Sequence, residues 1–81
     1  MEEKLQDPSA RVVGSKQVIR AVTDGKAAYV FLGKDAESFL YHRISDLCEE
    51  KLVPVTAAHT MAELGKLCRV DVPTASAAVL K

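Results

Sequence analysis

The 81-residue sequence has no long apolar run, no surplus of charge of either sign, and only two cysteines. Each absence removes a class of protein. The longest apolar runs fall far short of the ~20 consecutive residues that a membrane-crossing helix needs. The opening MEEKLQDPSA is acidic at its start and lacks an apolar signal core, so no membrane partner and a cytoplasmic location are expected. Cys48 and Cys68 form no CxxC pair, which argues against a disulfide scaffold or a zinc site and for two reduced, buried thiols. His42 and His59 have no partner at metal-ligand spacing. GxSxG, Walker and HExxH patterns are all missing, so nothing organises an acid, base, nucleophile or metal. The expectation is a protein that is not an enzyme, with no metal and no cofactor. Eleven basic residues balance eleven acidic ones, which speaks against a generally basic nucleic-acid coat.

What is present reads as one small domain over residues 1–81, without repeats or low-complexity tracts. Residues 2–8 suit a short opening helix stopped at Pro8. Arg11 to Val13 is a short β-branched run closed by Gly14. Ser15 can then cap a helix to about Asp24, with Val18, Ile19 and Val22 as its apolar stripe. Gly25 suits the left-handed position after that helix. Ala27 to Gly33 is apolar throughout and reads as a buried strand. Asp35 can cap a second helix to about Leu52, on which Ala36, Phe39, Leu40, Ile44, Leu47 and Cys48 recur at spacings of three or four. A third strand is expected over Val53 to His59. Thr60 can cap a third helix with Met61, Leu64, Gly65 and Cys68 on one face. A last strand follows from Ala75 to Leu80. Strands separated by helices predict an α/β protein: a three-layer α/β/α sandwich with a small four-stranded mixed sheet.

Two segments carry chemistry beyond this pattern. In GSKQ, the chain leaves a strand through Gly14 and starts a helix with Lys16, Gln17 and, one turn on, Arg20. Backbone N–H groups at a helix start carry partial positive charge, and cations flanking an amide can hold phosphates and read base edges. A solvated first turn explains the same residues. From Arg11 to Asp35 there are five basic residues (Arg11, Lys16, Arg20, Lys26, Lys34) and two acids, Asp24 and Asp35. The acids gather elsewhere, at Glu2, Glu3 and Asp7 and at Asp46, Glu49 and Glu50. The second segment, RVDVPT, sets Val70, Val72 and Pro73 in a connection where water favours polar residues. Such a loop either tucks into a sheet edge or offers an apolar platform to an unstacked base.

With both segments placed, VVGSKQVIRAV, VFLGKDAE, MAELGKLC and VDVPTASAAVL closely resemble, in order and spacing, the ribosomal L7Ae family of kink-turn RNA-binding proteins. The likeness covers almost the whole chain and is greatest to the small bacterial YbxF/YlxQ-like branch. It implies an α/β/α sandwich that recognises tandem sheared G·A pairs and a flipped-out nucleotide in ribosomal or riboswitch-type RNA. Carried over by position, Gly14 allows close backbone approach beside the cap Ser15, and Lys16 and Gln17 take the base-contacting places. Archaeal members more typically have Asn-Glu there, so the hydrogen-bond pattern is expected to differ. Arg20 keeps a cation where a lysine commonly meets RNA. Lys34 matches the charged strand-to-helix junction, with Asp35 to orient it. Val70, Asp71, Val72, Pro73 and Thr74 match the apolar recognition loop, and Val70 and Val72 are the residues expected to touch the flipped nucleotide. Arg69 departs from the family's usual glycine, which would change the cap or add a cation beside the RNA. The partner implied is structured RNA, including that of the ribosome, rather than DNA, bound by a monomer. The alternative on the same fold is a protein–protein interaction module.

Overall fold

Period-two alternation along the two central strands decides which helices cover which side of the sheet. In the computed structural model, which describes residues 2–81, a 3-10 helix Glu2–Gln6 leads into β1 (Arg11–Val13) and α1 (Ser15–Thr23). There follow β2 (Ala27–Gly33), α2 (Ser38–Glu50), β3 (Val55–His59), α3 (Met61–Leu67) and β4 (Ser76–Leu80). The strand order is β1-β4-β2-β3, with β4 antiparallel to both neighbours and β2 parallel to β3. Val30, Leu32 and Ala78 point to one face, where Val18, Ala21 and Val22 of α1 and Ile44 and Cys48 of α2 complete the larger core. Phe31, Ala77 and Val79 point to the other, against Leu5, Leu64 and Cys68. Strict alternation would set Ala27 beside Phe31, yet it packs in the first core. A register shift between Ala27 and Tyr29 in the β2–β4 ladder reverses the parity there. The mixed sheet and three layers agree with the sequence expectation.

Several boundaries differ from it. The opening helix is a single 3-10 segment ending at Gln6, because Asp7 Oδ1 accepts the Ser9 N–H at 2.9 Å and its hydroxyl at 2.7 Å, folding Pro8–Ala10 into a turn. The second helix starts at Ser38 and is capped by Glu37, whose carboxylate accepts from the Phe39 and Leu40 N–H groups. Asp35 is therefore not its cap. Phe39 is 71% exposed rather than part of the stripe: at 100° per residue it lies outside the arc shared by Leu40, Ile44, Leu47 and Cys48. The third strand begins at Val55, not Val53. The last begins at Ser76, not Ala75.

All three helices end in the same way. The N–H two residues past the cap bonds the third-last helical carbonyl, and the N–H between bonds the second-last, which is a Schellman motif. The pairs are Gly25 to Val22 and Lys26 to Ala21, Leu52 to Glu49 and Val53 to Cys48, and Arg69 to Lys66 and Val70 to Gly65. The motif needs a left-handed residue, and φ is 72° at Gly25, 60° at Leu52 and 58° at Arg69. Only the first is a glycine. A side chain in that conformation costs about 1–2 kcal/mol, and Leu52, at 90% exposed, recovers little by burial. Leu52→Gly should therefore stabilise the protein by about 0.5–1 kcal/mol after glycine's extra chain entropy, raising the melting temperature by about 2–8 °C in thermal denaturation.

Candidate nucleic-acid interface

Four chain segments meet at one end of the sheet. The register pairs Val13 with Ala77, Leu32 with Ser76, and Gly33 with His59. The end of β1, the start of β4 and the ends of β2 and β3 thus lie side by side, and the connections leaving them form one edge. Gly14 makes the first connection. With φ 99° and ψ 146° it turns the chain out of β1, and its N–H still donates to the Ser76 carbonyl at 2.9 Å. Nothing lies within 4 Å of the position a Cβ would take, so glycine is needed for its backbone angle while the space above it is open to a ligand.

Ser15 is not the cap of α1. It is the first helical residue, and its hydroxyl shares a 3.0 Å hydrogen bond with the Ser76 hydroxyl. Gly14 at the cap position supplies no side chain, so the first-turn N–H groups of α1 have no side-chain acceptor. Lys16, Gln17 and Arg20 are exposed around them. Among the described residues none forms a side-chain hydrogen bond or ion pair with these three.

The Lys34–Asp35 junction is tied to the same edge. The Lys34 N–H donates to the His59 carbonyl at 2.8 Å. Asp35 Oδ1 accepts the Met61 N–H at 2.7 Å, so this carboxylate holds the start of α3 rather than that of α2. Thr60 and Glu63 complete a capping box there. First the Thr60 N–H and then its hydroxyl hold the Glu63 carboxyl below the usual glutamate value, aided by His59 and Lys34.

The Val70–Thr74 loop runs back over α3. The N–H of Val70 bonds the Gly65 carbonyl and that of Thr74 bonds the Met61 carbonyl, both at 3.0 Å. Val70 is half-buried against Leu5, Leu64 and Cys68, and Thr74 is buried. Asp71, Val72 and Pro73 face out, Val72 at 64% exposure. Arg69 keeps the cap geometry of a glycine, and its guanidinium donates to Gln6 Oε1 at 2.8 Å, towards the opening helix. Of the residues singled out from sequence, Lys16, Gln17, Arg20, Lys34, Asp71, Val72 and Pro73 thus present free faces. Gly14, Ser15, Asp35, Val70 and Thr74 hold the edge together.

Residues that the sequence reading did not assign to a site also adjoin this edge. Ala62 and Lys66, one turn apart on the outer face of α3, line a depression of about 310 Å³ with Val70–Pro73. Ser38, Tyr41 and His42, together with Lys34 and Ala36, line another of about 260 Å³, with the Tyr41 and His42 rings edge-on at 5.6 Å. Apolar periodicity points only to the buried face of each helix, whereas Ser38, His42, Ala62 and Lys66 are exposed. A larger hollow of about 420 Å³ between α1 and α2 is lined by Asp46 and Glu50 as well as Arg43, a poor setting for phosphate. Burial pushes the thiols of Cys48 and Cys68 up from their ordinary value, which leaves them protonated and unreactive. No helix among the described residues is long and apolar enough to cross a membrane.

The model of the ribosomal protein L7Ae/L30e/S12e/Gadd45 family matches residues 2–81. The chain belongs to this family. Among its relatives is an RNA-binding protein of Caldanaerobacter subterraneus subsp. tengcongensis, 45% identical over 73 residues that make up 90% of this chain and 89% of that protein. The RNA-binding protein YbxF of Geobacillus stearothermophilus is 35% identical over 79 residues, 98% of this chain and 96% of YbxF. In structure the chain is similar to the 15.5 kD RNA-binding protein of Giardia lamblia, with a TM-score of 0.89 at 28% identity over 99% of this chain and 68% of that one. The family's α/β fold, inferred above from helix and strand spacing, is the one observed.

A capped α3 makes one pH dependence testable. Because the folded pKa of Glu63 is depressed, its contribution to stability is complete above the unfolded glutamate value and is lost as pH falls through the folded one. Glu63→Gln can keep the capping box without a charge. Its melting temperature should fall less than that of the wild type between about pH 6 and pH 3 when the two are titrated in parallel.

Proposed function

We propose that this protein binds structured RNA without catalysis and recognises the kink-turn, stabilising its sharply bent form. One observation carries the reading: the uncapped start of α1, with Lys16, Gln17 and Arg20 exposed around it, shares an edge with the outward-facing apolar loop at Val72. A kink-turn demands both. Its sheared G·A pairs present base edges and crowded phosphates to a helix start, and its flipped nucleotide needs an apolar surface. Only the bent state offers the two together, so binding shifts the RNA's own folding equilibrium towards it. The relatives named as RNA-binding proteins support the partner class. Ribosomal RNA and structured leader RNAs are the expected carriers of the motif, bound in the cytoplasm by a monomer.

With Lys16, Arg20 and Lys34 as the cations of the edge, log affinity should fall against log salt with a slope of about −2 to −3. A highly basic protein would give a steeper line. The deciding titration compares a kink-turn duplex with one whose sheared G·A pairs are replaced by Watson–Crick pairs. Strong preference for the first is expected, and equal affinity for both would sink the kink-turn reading. The double substitution Lys16→Ala with Arg20→Ala should abolish kink-turn binding with the circular dichroism spectrum unchanged. Retained binding in that variant would move the site elsewhere.

A further inference from the structure

Glycine inside a helix weakens it, yet α3, only seven residues long, contains Gly65, and this glycine is buried. The backbone does not require it there by a positive φ: only Gly14 and Gly25 among the glycines have one. What it does is leave room. A Cβ at Gly65 would lie 2.4 Å from the Val72 carbonyl oxygen and 3.4 Å from its carbon, with the Thr74 hydroxyl oxygen at 3.5 Å. The obstacle is backbone, not the yielding tip of a side chain. The Val72 carbonyl would have to retreat by about 1 Å to regain ordinary van der Waals distance, since real contacts begin near 3.4 Å.

The same loop is strapped to α3 on both sides of that contact. The Val70 N–H bonds the carbonyl of Gly65 itself, and the Thr74 N–H bonds that of Met61, one turn earlier. The Thr74 hydroxyl closes the loop internally on the Val72 carbonyl at 3.4 Å. Two fixed ends and a seat in the middle define the height of the loop over the helix, and hence where the exposed Val72 side chain projects. Two features explain why the site needs such a seat. The loop has no strand or helix of its own. Asp71, Val72 and Pro73, at its crest, are exposed and so draw little ordering from the core.

We infer that Gly65 is the positioning residue of the Val70–Thr74 loop, seating it on α3 in its binding conformation before RNA arrives. The inference rests on the kink-turn reading for its consequence, and on the loop geometry alone for its premise. A preformed loop spares the ordering entropy that a flexible one loses on binding. The extruded nucleotide then meets a surface already in place.

Two measurements test this. In the free wild-type protein, hydrogen exchange should show the Val70 and Thr74 amides protected to a similar degree as those of α3. Fast exchange of these amides that slows only with RNA would overturn the inference, whatever RNA the protein prefers. In the second, Gly65→Ala and the wild type are titrated with a kink-turn and with the same RNA made abasic at the extruded nucleotide. Gly65→Ala should lose about tenfold in affinity for the intact RNA and bind the abasic RNA as the wild type does, the pattern of a lost base contact. An equal loss on both RNAs would mark a general structural defect, and no loss on either would show that the seat is irrelevant; either outcome overturns the proposal. Failure of the G·A preference in the wild type would instead sink the kink-turn reading, while the exchange measurement still decides the state of the loop.

Discussion

The hydrogen bond from the Gly14 N–H to the Ser76 carbonyl ties the start of α1 to the start of β4, where the two halves of the candidate site meet. At Gly14 the chain must leave β1, begin α1 and remain paired to the start of β4. The backbone angle that achieves all three is one that an L side chain rarely adopts. Because β4 is central in the sheet, anchoring α1 to its first residue also brings the helix start beside everything that enters β4. The segment entering β4 is the loop that carries Val72. Residues more than fifty positions apart in sequence become neighbours through this joint, and the Ser15–Ser76 hydroxyl pair reinforces it.

The other half of the edge depends on α3. Helices this short are not stable alone in water, and α3 is held chiefly from outside. Asp35 and the Thr60–Glu63 box satisfy its first N–H groups, and Leu64 and Cys68 bury its inner face. Arg11 reaches from β1 to the carbonyls of Leu5 and Cys68, fastening the end of α3 to the opening helix. Gly33 belongs to the same arrangement. A Cβ there would lie 2.5 Å from the Met61 side chain, so the end of β2 can pass close beneath the start of α3. The Val70–Thr74 loop therefore rests on an element held by the opening helix, by Arg11 and by the Gly33–Asp35 segment.

Electrostatically the protein is neutral overall but not locally. Lys16, Arg20 and Lys34 belong to the edge where the strands end. Asp46, Glu49 and Glu50 occupy the far end of α2, whose thirteen residues span about 20 Å. Asp35 and Glu63 also lie at the strand-end edge, and Lys34 helps to hold the Glu63 carboxyl below its usual value, so the charge of that edge is mixed rather than purely cationic.

Helix and strand identities were legible in the sequence because burial imposes periods of 3.6 and 2, and the two chemical segments were legible because cations at a helix start and valines in a loop break those periods. Boundaries and caps were less so. Asp35 read as the cap of the helix that follows it in sequence, whereas the N–H it satisfies belongs to Met61, twenty-six residues on. Arg69 read as a departure that would either change a glycine cap or add a cation beside the RNA, and the Schellman hydrogen bonds hold it in the glycine-like left-handed conformation while its guanidinium bonds Gln6. Gly65 read only as a small residue on an apolar face. Local rules could not show otherwise, since its role is set by a carbonyl seven positions away that returns over the helix. The sequence by itself determined the layers and the chemistry available. Tertiary structure alone decided which groups share an edge, because the partners that satisfy each cap and each close contact come from distant strands.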